Sequence, residues 1–201
     1  MTAQTAATVQ EAMSKHTRYL IRRKVFTLAG AKFHIYGPDE QLVFFSKMKA
    51  FKLREDIRLY AEEEMTTEAI SIQARQIIDF SASYDVFDSF TGTKVGALRR
   101  KGMKSLIKDE WIIMDAQDRE IGMIVEDSML LALIRRFLIR IIPQDYVCTI
   151  NNVPVCSFRQ HFNPFIFKIT MDFLPGEKGL LDRRLAFAAG VLLGAIEGRQ
   201  D

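Results

Sequence analysis

The densest group of side chains that could bind a ligand is a basic stretch in the middle of the chain. It contains no acidic residue before Asp109, so neighbours in sequence do not balance its charge. Its cationic residues are Lys94, Arg99, Arg100, Lys101, Lys104 and Lys108. Basic residues close to an anionic membrane contribute roughly 1 kcal/mol each. We therefore expect an anionic headgroup site here, and the alternative is a solvated edge strand that its charge protects from aggregation.

Two other basic groups are weaker candidates for the same chemistry. Residues 22–24 are all basic, but side chains of a strand alternate between its two faces, which favours a structural role. A helix predicted over residues 127–141, stopped by Pro143, carries an apolar stripe and a basic face, as helices lying on membranes do. Its basic residues are Arg135, Arg136 and Arg140. The same pattern is typical of a helix packed on a core, with arginines near its negative end.

The remaining reactive side chains form no catalytic or metal-binding pattern. His16, His34 and His161 are far apart in sequence, and no zinc-protease, nucleophile-elbow, phosphate-loop or dinucleotide-binding motif occurs. The three glutamates at 62–64 have no histidine or aspartate ladder nearby, which favours a solvated loop. The sequence therefore predicts no enzyme activity, no metal and no cofactor.

The two cysteines, Cys148 and Cys156, flank a turn at Asn151 and Asn152. A two-residue loop would place them on opposite faces of a hairpin, whereas a three-residue loop would set them opposite one another. A disulfide or a redox role is disfavoured. The low cysteine content and the polar N-terminal segment favour a reducing, cytoplasmic setting.

The composition is that of a globular domain with a modest positive charge. Of 201 residues, 48% are hydrophobic and 26% are charged, so one continuous core can form without disulfides. The net charge of +3 permits an anionic partner but falls short of the strong basic excess of nucleic-acid binders. We therefore expect one domain and no nucleic-acid partner.

Short β-type runs separated by Gly, Pro, Asn and Asp follow one another from Tyr19 onward. In four of them an aromatic residue opens a strand, and a polar turn and an apolar return strand follow. These openers are Phe33, Tyr84, Trp111 and Tyr146. A meander of this many strands protects its edges by closing into a barrel.

Residues 1–17 lack the alternation of apolar and polar side chains that marks a strand. They are expected to form a mobile tail that is helical only transiently, so the domain spans residues 18–201.

A second helix is predicted over residues 179–196. Residues 185–196 carry no charged or polar side chain on any face, so this part must be buried in protein or lipid. As a helix it spans about 18 Å, which is too short for a hydrocarbon layer of about 30 Å. Small residues keep it slim, namely Ala186, Ala188, Ala189, Gly190, Gly194 and Ala195. We expect it to fill the barrel, and we expect no transmembrane span.

Together these segments resemble the tubby C-terminal-like superfamily and, within it, the LURP-one-related proteins. The resemblance lies in residues 19–26, the hairpins, the segment 126–128 before the arginine helix, and the terminal apolar helix, and it covers about residues 18–197. It implies a closed barrel of about twelve strands around a central helix. Relatives include tubby domains, which bind phosphoinositide headgroups, and phospholipid scramblases, which act at membranes. The chain lacks the scramblases' proline-rich region, cysteine cluster and calcium-binding loop, and no family site residue is carried over.

The leading functional hypothesis is a non-enzymatic binding module, peripheral at an anionic membrane or bound to a lipid headgroup through the basic stretch that begins at Lys94. The alternative is a soluble protein-interaction or scaffold domain without lipid specificity. A salt-sensitive response to acidic vesicles distinguishes the two hypotheses.

Overall fold

Within its described residues, the chain forms a closed antiparallel barrel of twelve strands and two helices. The computed structural model describes residues 3–24, 30–49, 56–75, 82–101, 110–126, 145–161 and 166–196. The strands are β1 (Arg18–Lys24), β2 (Gly30–Tyr36), β3 (Leu42–Lys49), β4 (Asp56–Tyr60), β5 (Glu68–Ala74), β6 (Ser83–Asp88), β7 (Lys94–Arg100), β8 (Glu110–Asp115), β9 (Glu120–Glu126), β10 (Asp145–Ile150), β11 (Val153–His161) and β12 (Ile166–Phe173). The helices are α1 (Ala3–Ser14) and α2 (Arg183–Ile196).

The strand order is a simple meander. Each strand pairs with its neighbours in sequence, and β1 pairs with β12 to close the ring. Closure leaves no free edge at either end of the meander, which is how such a sheet avoids pairing with other molecules. The predicted mainly β fold, a closed barrel with a C-terminal helix, is confirmed.

Alternating side chains separate a filled interior from a polar outer wall. In β12, Phe167, Ile169, Met171 and Phe173 are buried, and the residues between them are partly exposed. Because successive side chains of a strand point to opposite faces, about half of each strand lies inside. The outward half is the part that a ligand can reach.

α2 fills the barrel. Residues 185–195 are all buried, and α2 contacts β1, β5, β6, β7 and β12 from within the ring. A Cβ atom on Gly190 would lie 2.3 Å from Ile21 Cδ1. A Cβ atom on Gly194 would lie 2.8 Å from Phe33 Cε1. These close approaches explain why glycines occur here, although each costs a helix interior up to about 1 kcal/mol. The predicted central apolar helix is confirmed, and it begins at Arg183 where residue 179 was predicted.

α1 occupies a segment where the sequence favoured a mobile tail. Its Val9 and Met13 are buried in the same core as α2. The Tyr19 hydroxyl donates to the Met13 carbonyl at 2.7 Å, and Arg183 Nη1 donates to the same carbonyl at 2.9 Å. Two apolar side chains four residues apart lie on one helix face and can dock it. Residues 3–14, expected to belong to a tail that is helical only transiently, are thus a helix in this structure, held by these contacts.

Candidate anion-binding surface

The start of the predicted basic stretch is part of an ion-pair network. Lys94 Nζ lies 2.8 Å from Asp85 Oδ1 and 2.7 Å from Asp118 Oδ1. Arg75 contacts both of these carboxylates, with Nε 2.8 Å from Asp85 Oδ2. Burial would raise the pKa of Asp85, but hydrogen bonds from Arg75 and Lys94 outweigh it and lower this pKa. The charge of Lys94 is therefore already balanced.

The next cations of the stretch are balanced in the same way. Arg99 is paired with Glu120 on β9. Lys101 Nζ lies 2.8 Å from Glu110 Oε2 on β8. Arg100 lies between them at the end of β7 and is partly exposed. Acids from neighbouring strands thus neutralise cations that have no acidic neighbour in sequence.

Several predicted site residues lie outside the described part of the chain. They are Lys104, Lys108, Arg135, Arg136 and Arg140, together with the helix predicted over residues 127–141. Their predicted roles at a membrane stay predictions.

A second basic surface lies on the outer wall of β12, β1, β2 and β3. Strand pairing sets Lys168 directly opposite Arg22, and Lys32 directly opposite Lys47. Arg22 is also opposite His34, which is two residues from Lys32 on β2, so the two cation pairs adjoin. Directly opposite residues have Cβ atoms about 4.5–5.5 Å apart. We call Arg22, Lys32, Lys47 and Lys168 the cationic face.

The cationic face has no carboxylate partner among the described residues. Three of its members are exposed and Lys168 is partly exposed. Arg22 lies over the ring of Tyr36, with Cζ 5.2 Å from the ring centroid. Further along the same wall the charges are balanced, since Arg18 Nε lies 2.5 Å from Asp172 Oδ1. The face is therefore a positive patch beside a neutral pair, and one carboxylate lies near its centre, since Glu63 Oε1 is 3.3 Å from His34 Nε2.

Like charges directly opposite one another oppose folding. Two unit charges 5 Å apart repel by about 0.8 kcal/mol in water. Cross-strand like-charge pairs are destabilising on a scale of roughly 0.2–1 kcal/mol. A bound anion would relieve this repulsion and add an attraction, so the arrangement favours an anionic partner.

A shallow groove adjoins the cationic face on the side of the β2–β3 turn. Its volume is about 380 Å³, and it is lined by Leu20, Arg22, Tyr36, Pro38, Glu40 and Thr170 among others. Arg22 therefore belongs to both the groove and the face. The groove lies on the outer wall of the barrel, and its charge is mixed, because Glu40 lines it together with Arg18 and Arg22.

The basic run at residues 22–24 divides between the two faces of β1, as alternation predicts. Arg23 is buried, and its Nη1 donates to the Gly194 carbonyl near the end of α2 at 2.7 Å. Its guanidinium also lies 5.3 Å from the ring centroid of Phe167. Arg23 thus has a structural role, whereas its neighbour Arg22 belongs to the cationic face, which the sequence reasoning missed.

The two cysteines face one another inside the barrel as free thiols. Cys148 pairs directly with Cys156 across β10 and β11. The turn has two residues, Asn151 and Asn152, both with positive φ, but a register shift between Cys148 and Thr149 brings the thiols to the same face. Burial raises the pKa of Cys148 to about 12 and that of Cys156 well above its ordinary value. Neither thiol is therefore prepared for nucleophilic chemistry.

The histidines and the glutamate run form no shared site in the described part of the chain. His16, His34 and His161 contact Asp39, Glu63 and Thr170 respectively. Glu62 organises the β4–β5 turn, where its Oε1 accepts hydrogen bonds from the Thr66 and Thr67 amides. No group of three or more metal-ligating side chains occurs among the described residues. No described helix is both long and apolar enough to cross a membrane.

No protein-family model matches this chain, and neither the curated proteins nor the solved structures contain a significant match. The resemblance to the tubby-like superfamily therefore stays a prediction from the sequence.

Proposed function

We propose that the chain is a non-enzymatic binding module that docks on an anionic membrane surface through the cationic face. The observation that carries the proposal is the direct pairing of cation with cation on adjacent strands, Lys168 with Arg22 and Lys32 with Lys47. None of these four has a carboxylate partner among the described residues, in contrast to Lys94, Arg99 and Lys101. The proposed site therefore lies on the wall formed by β12, β1, β2 and β3, whereas the sequence predicted it on β7 and the residues that follow.

The size of the face favours a surface over a single headgroup. Four strands span about 14 Å at a spacing of about 4.8 Å, a width that meets several lipid headgroups at once. Four basic residues at roughly 1 kcal/mol each contribute about 4 kcal/mol. This corresponds to an increase in affinity of about a thousandfold. Binding of this kind is reversible and weakens as salt screens the charges.

The proposal includes a cytoplasmic location, peripheral to the membrane. Cytoplasmic leaflets carry a negative surface potential that attracts basic surfaces. The two described cysteines are free thiols, as is usual in a reducing compartment. Membership of the LURP-one-related proteins, with phospholipid or phosphoinositide headgroups as ligands, agrees with the proposal through the sequence resemblance.

The test is co-sedimentation with vesicles at low and high salt. Vesicles of phosphatidylcholine alone are compared with vesicles that also contain phosphatidylserine or a phosphoinositide, matched in total charge. The face variant replaces Arg22, Lys32, Lys47 and Lys168 with Gln. The control variant makes the same change at four cations that are already ion-paired, Lys94, Arg99, Lys101 and Arg119. Both variants lose the same net charge, so a difference between them reports the location of the site.

We expect the wild type and the control variant to bind both kinds of acidic vesicle in low salt, and the face variant to lose most of this binding. Circular dichroism and thermal melts establish that each variant is folded. Equal losses in the two variants would show that net charge alone drives binding. No binding to any vesicle would remove the membrane function and leave the protein-interaction or scaffold domain as the working model.

A further inference from the structure

The groove beside the cationic face is built from β1, its two neighbouring strands and the β2–β3 turn. Arg18, Leu20 and Arg22 are alternate residues of β1, so their side chains share its outward face. Leu20 lies in the middle, directly opposite Thr170 of β12 and Tyr36 of β2. The groove therefore has one end at Arg22 and the other end at Arg18 and the turn.

The end of the groove at Arg22 is positively charged. Arg22 is exposed, and Lys168 lies directly opposite it on β12. The guanidinium is held over the ring of Tyr36, with Cζ 5.2 Å from the ring centroid, and it has no carboxylate partner among the described residues. Stacking of this kind leaves the N–H groups at the edge of the guanidinium free to donate. This end can therefore bind a phosphate or a carboxylate.

The other end of the groove has an excess of negative charge. Arg18 is balanced there, because its Nε lies 2.5 Å from Asp172 Oδ1. Asp39 in the turn is balanced as well, with Oδ2 2.8 Å from Lys15 Nζ. Glu40 also lines the groove and is exposed, and no cation contacts its carboxylate in the part of the chain that the structure describes. This end can therefore accept hydrogen bonds from an ammonium group.

The turn fixes the place of Glu40. The Glu40 amide donates to the Gly37 carbonyl at 3.1 Å, and the Gly37 amide donates to the Gln41 carbonyl at 3.0 Å. Glu40 has a φ of 60°, in the left-handed region where glycine and asparagine are the usual residues. The backbone of the turn therefore gives no preference for glutamate, whereas a carboxylate at this point completes the charge pattern of the groove.

The two uncompensated charges are too far apart to neutralise one another. Arg22 and Leu20 are separated by about 6.6 Å along β1, and the turn begins beyond Tyr36, which is level with Leu20. An α-amino acid carries its ammonium and carboxylate groups on one carbon and cannot reach both ends. A phosphate ester with an amine on a short alkyl chain can reach them. The groove volume of about 380 Å³ suits a molecule of this size, since ligand sites begin at about 300 Å³.

We propose that the groove binds an aminoalkyl phosphate ester. The phosphate lies against Arg22, with Lys168 beside it, and the ammonium group lies against Glu40. Such esters occur as headgroups of aminophospholipids and as free molecules. The inference goes beyond membrane docking, because a cationic face alone attracts any anion, whereas Glu40 selects ligands that also carry an N–H cation.

The test is a nuclear magnetic resonance titration of the labelled full chain with two soluble probes. The first probe is glycerophosphoethanolamine, which has no net charge at neutral pH and is therefore not attracted by net charge. The second is its N-acetyl derivative, which keeps the phosphodiester and lacks the ammonium group. Glu40→Gln and Arg22→Gln test the two ends of the groove. Glu64→Gln is the matched control, because Glu64 is an exposed glutamate of the β4–β5 turn, outside the groove.

We expect the wild type to bind glycerophosphoethanolamine roughly threefold to tenfold more tightly than the N-acetyl derivative, with shifted amide signals at Leu20, Tyr36 and Glu40. Glu40→Gln should abolish this preference, and Glu64→Gln should keep it. Arg22→Gln should weaken binding of both probes. The spectra also show whether each variant is folded. Equal binding of the two probes by the wild type, or an unchanged preference in Glu40→Gln, overturns the proposal.

Vesicles distinguish a lipid headgroup from a free ester. Phosphatidylcholine vesicles with a constant fraction of phosphatidylglycerol are compared with and without phosphatidylethanolamine, since the choline group has no N–H to donate to Glu40. Added binding that Glu40→Gln loses identifies the lipid headgroup as the ligand. Selective binding of the soluble probe without this added binding identifies a free ester. Loss of vesicle binding alone would refute membrane docking and leave the groove intact.

Discussion

The packing of α2 against β1 can be tested at Gly190, where the helix approaches the barrel wall most closely. A Cβ atom at this position would lie 2.3 Å from Ile21 Cδ1, whereas its next neighbour, Phe158 Cε1, would be 3.4 Å away. Non-bonded carbon atoms are most stable at about 3.5–4.0 Å. Gly190→Ala must therefore displace the end of Ile21, which is fully buried.

Two opposing effects determine how much Gly190→Ala changes the free energy of unfolding. Overpacking a core costs about 1–3 kcal/mol, while replacing glycine with alanine in a helix gains up to about 1 kcal/mol. We therefore expect Gly190→Ala to lower the free energy of unfolding by about 0–3 kcal/mol. Ile21→Val removes the clashing methyl and by itself costs about 0.5–1.5 kcal/mol. In the double variant the alanine methyl no longer meets Ile21 Cδ1, and the higher helix propensity of alanine remains. Its free energy of unfolding should therefore equal or exceed that of Ile21→Val.

The assay is urea unfolding of the wild type, the two single variants and the double variant, followed by far-ultraviolet circular dichroism. The expected coupling free energy between the two sites is about 1–3 kcal/mol, since it equals the overpacking cost that Ile21→Val relieves. The urea dependence of the free energy of unfolding should be similar in all four proteins. Single effects that add within about 0.5 kcal/mol would refute the contact between α2 and β1 at this point.

Two further predictions concern ionisable groups. The pKa of Asp85 is lowered in the folded protein, so its stabilisation is present above the unfolded pKa of about 3.9 and is lost as the pH falls through the folded pKa. Asp85→Asn should therefore lower the melting temperature at neutral pH and change it little near pH 2; an equal decrease at both pH values would contradict the ion-pair assignment. Cys148 and Cys156 should not react with Ellman's reagent in the native protein at about pH 8, because burial raises both pKa values. Both should react in denaturant, and rapid labelling of the native protein would show that the thiols are accessible.

The candidate site was harder to predict than the fold because charge balance is a property of neighbouring strands. The run that begins at Lys94 has no acid nearby in sequence, yet its partners come from β6, β8, β9 and the β8–β9 turn. Conversely, Arg22 and Lys168 belong to opposite ends of the chain and meet only because β1 pairs with β12. One part of the face was within reach of the sequence, since the β2–β3 hairpin places Lys32 beside Lys47 once its turn is located. The predicted arginine helix lies outside the described residues.

What the sequence alone determined is the division between inside and outside. The two-residue period of apolar side chains defines strands with one buried face, and a helix without polar side chains has to lie where water is absent. These local rules were sufficient for the barrel and for α2. The tertiary structure decided which outward charges are neutralised and which thiols face one another. Each of these depends on register, and a register is set by turns, bulges and closure between residues that are distant in the chain.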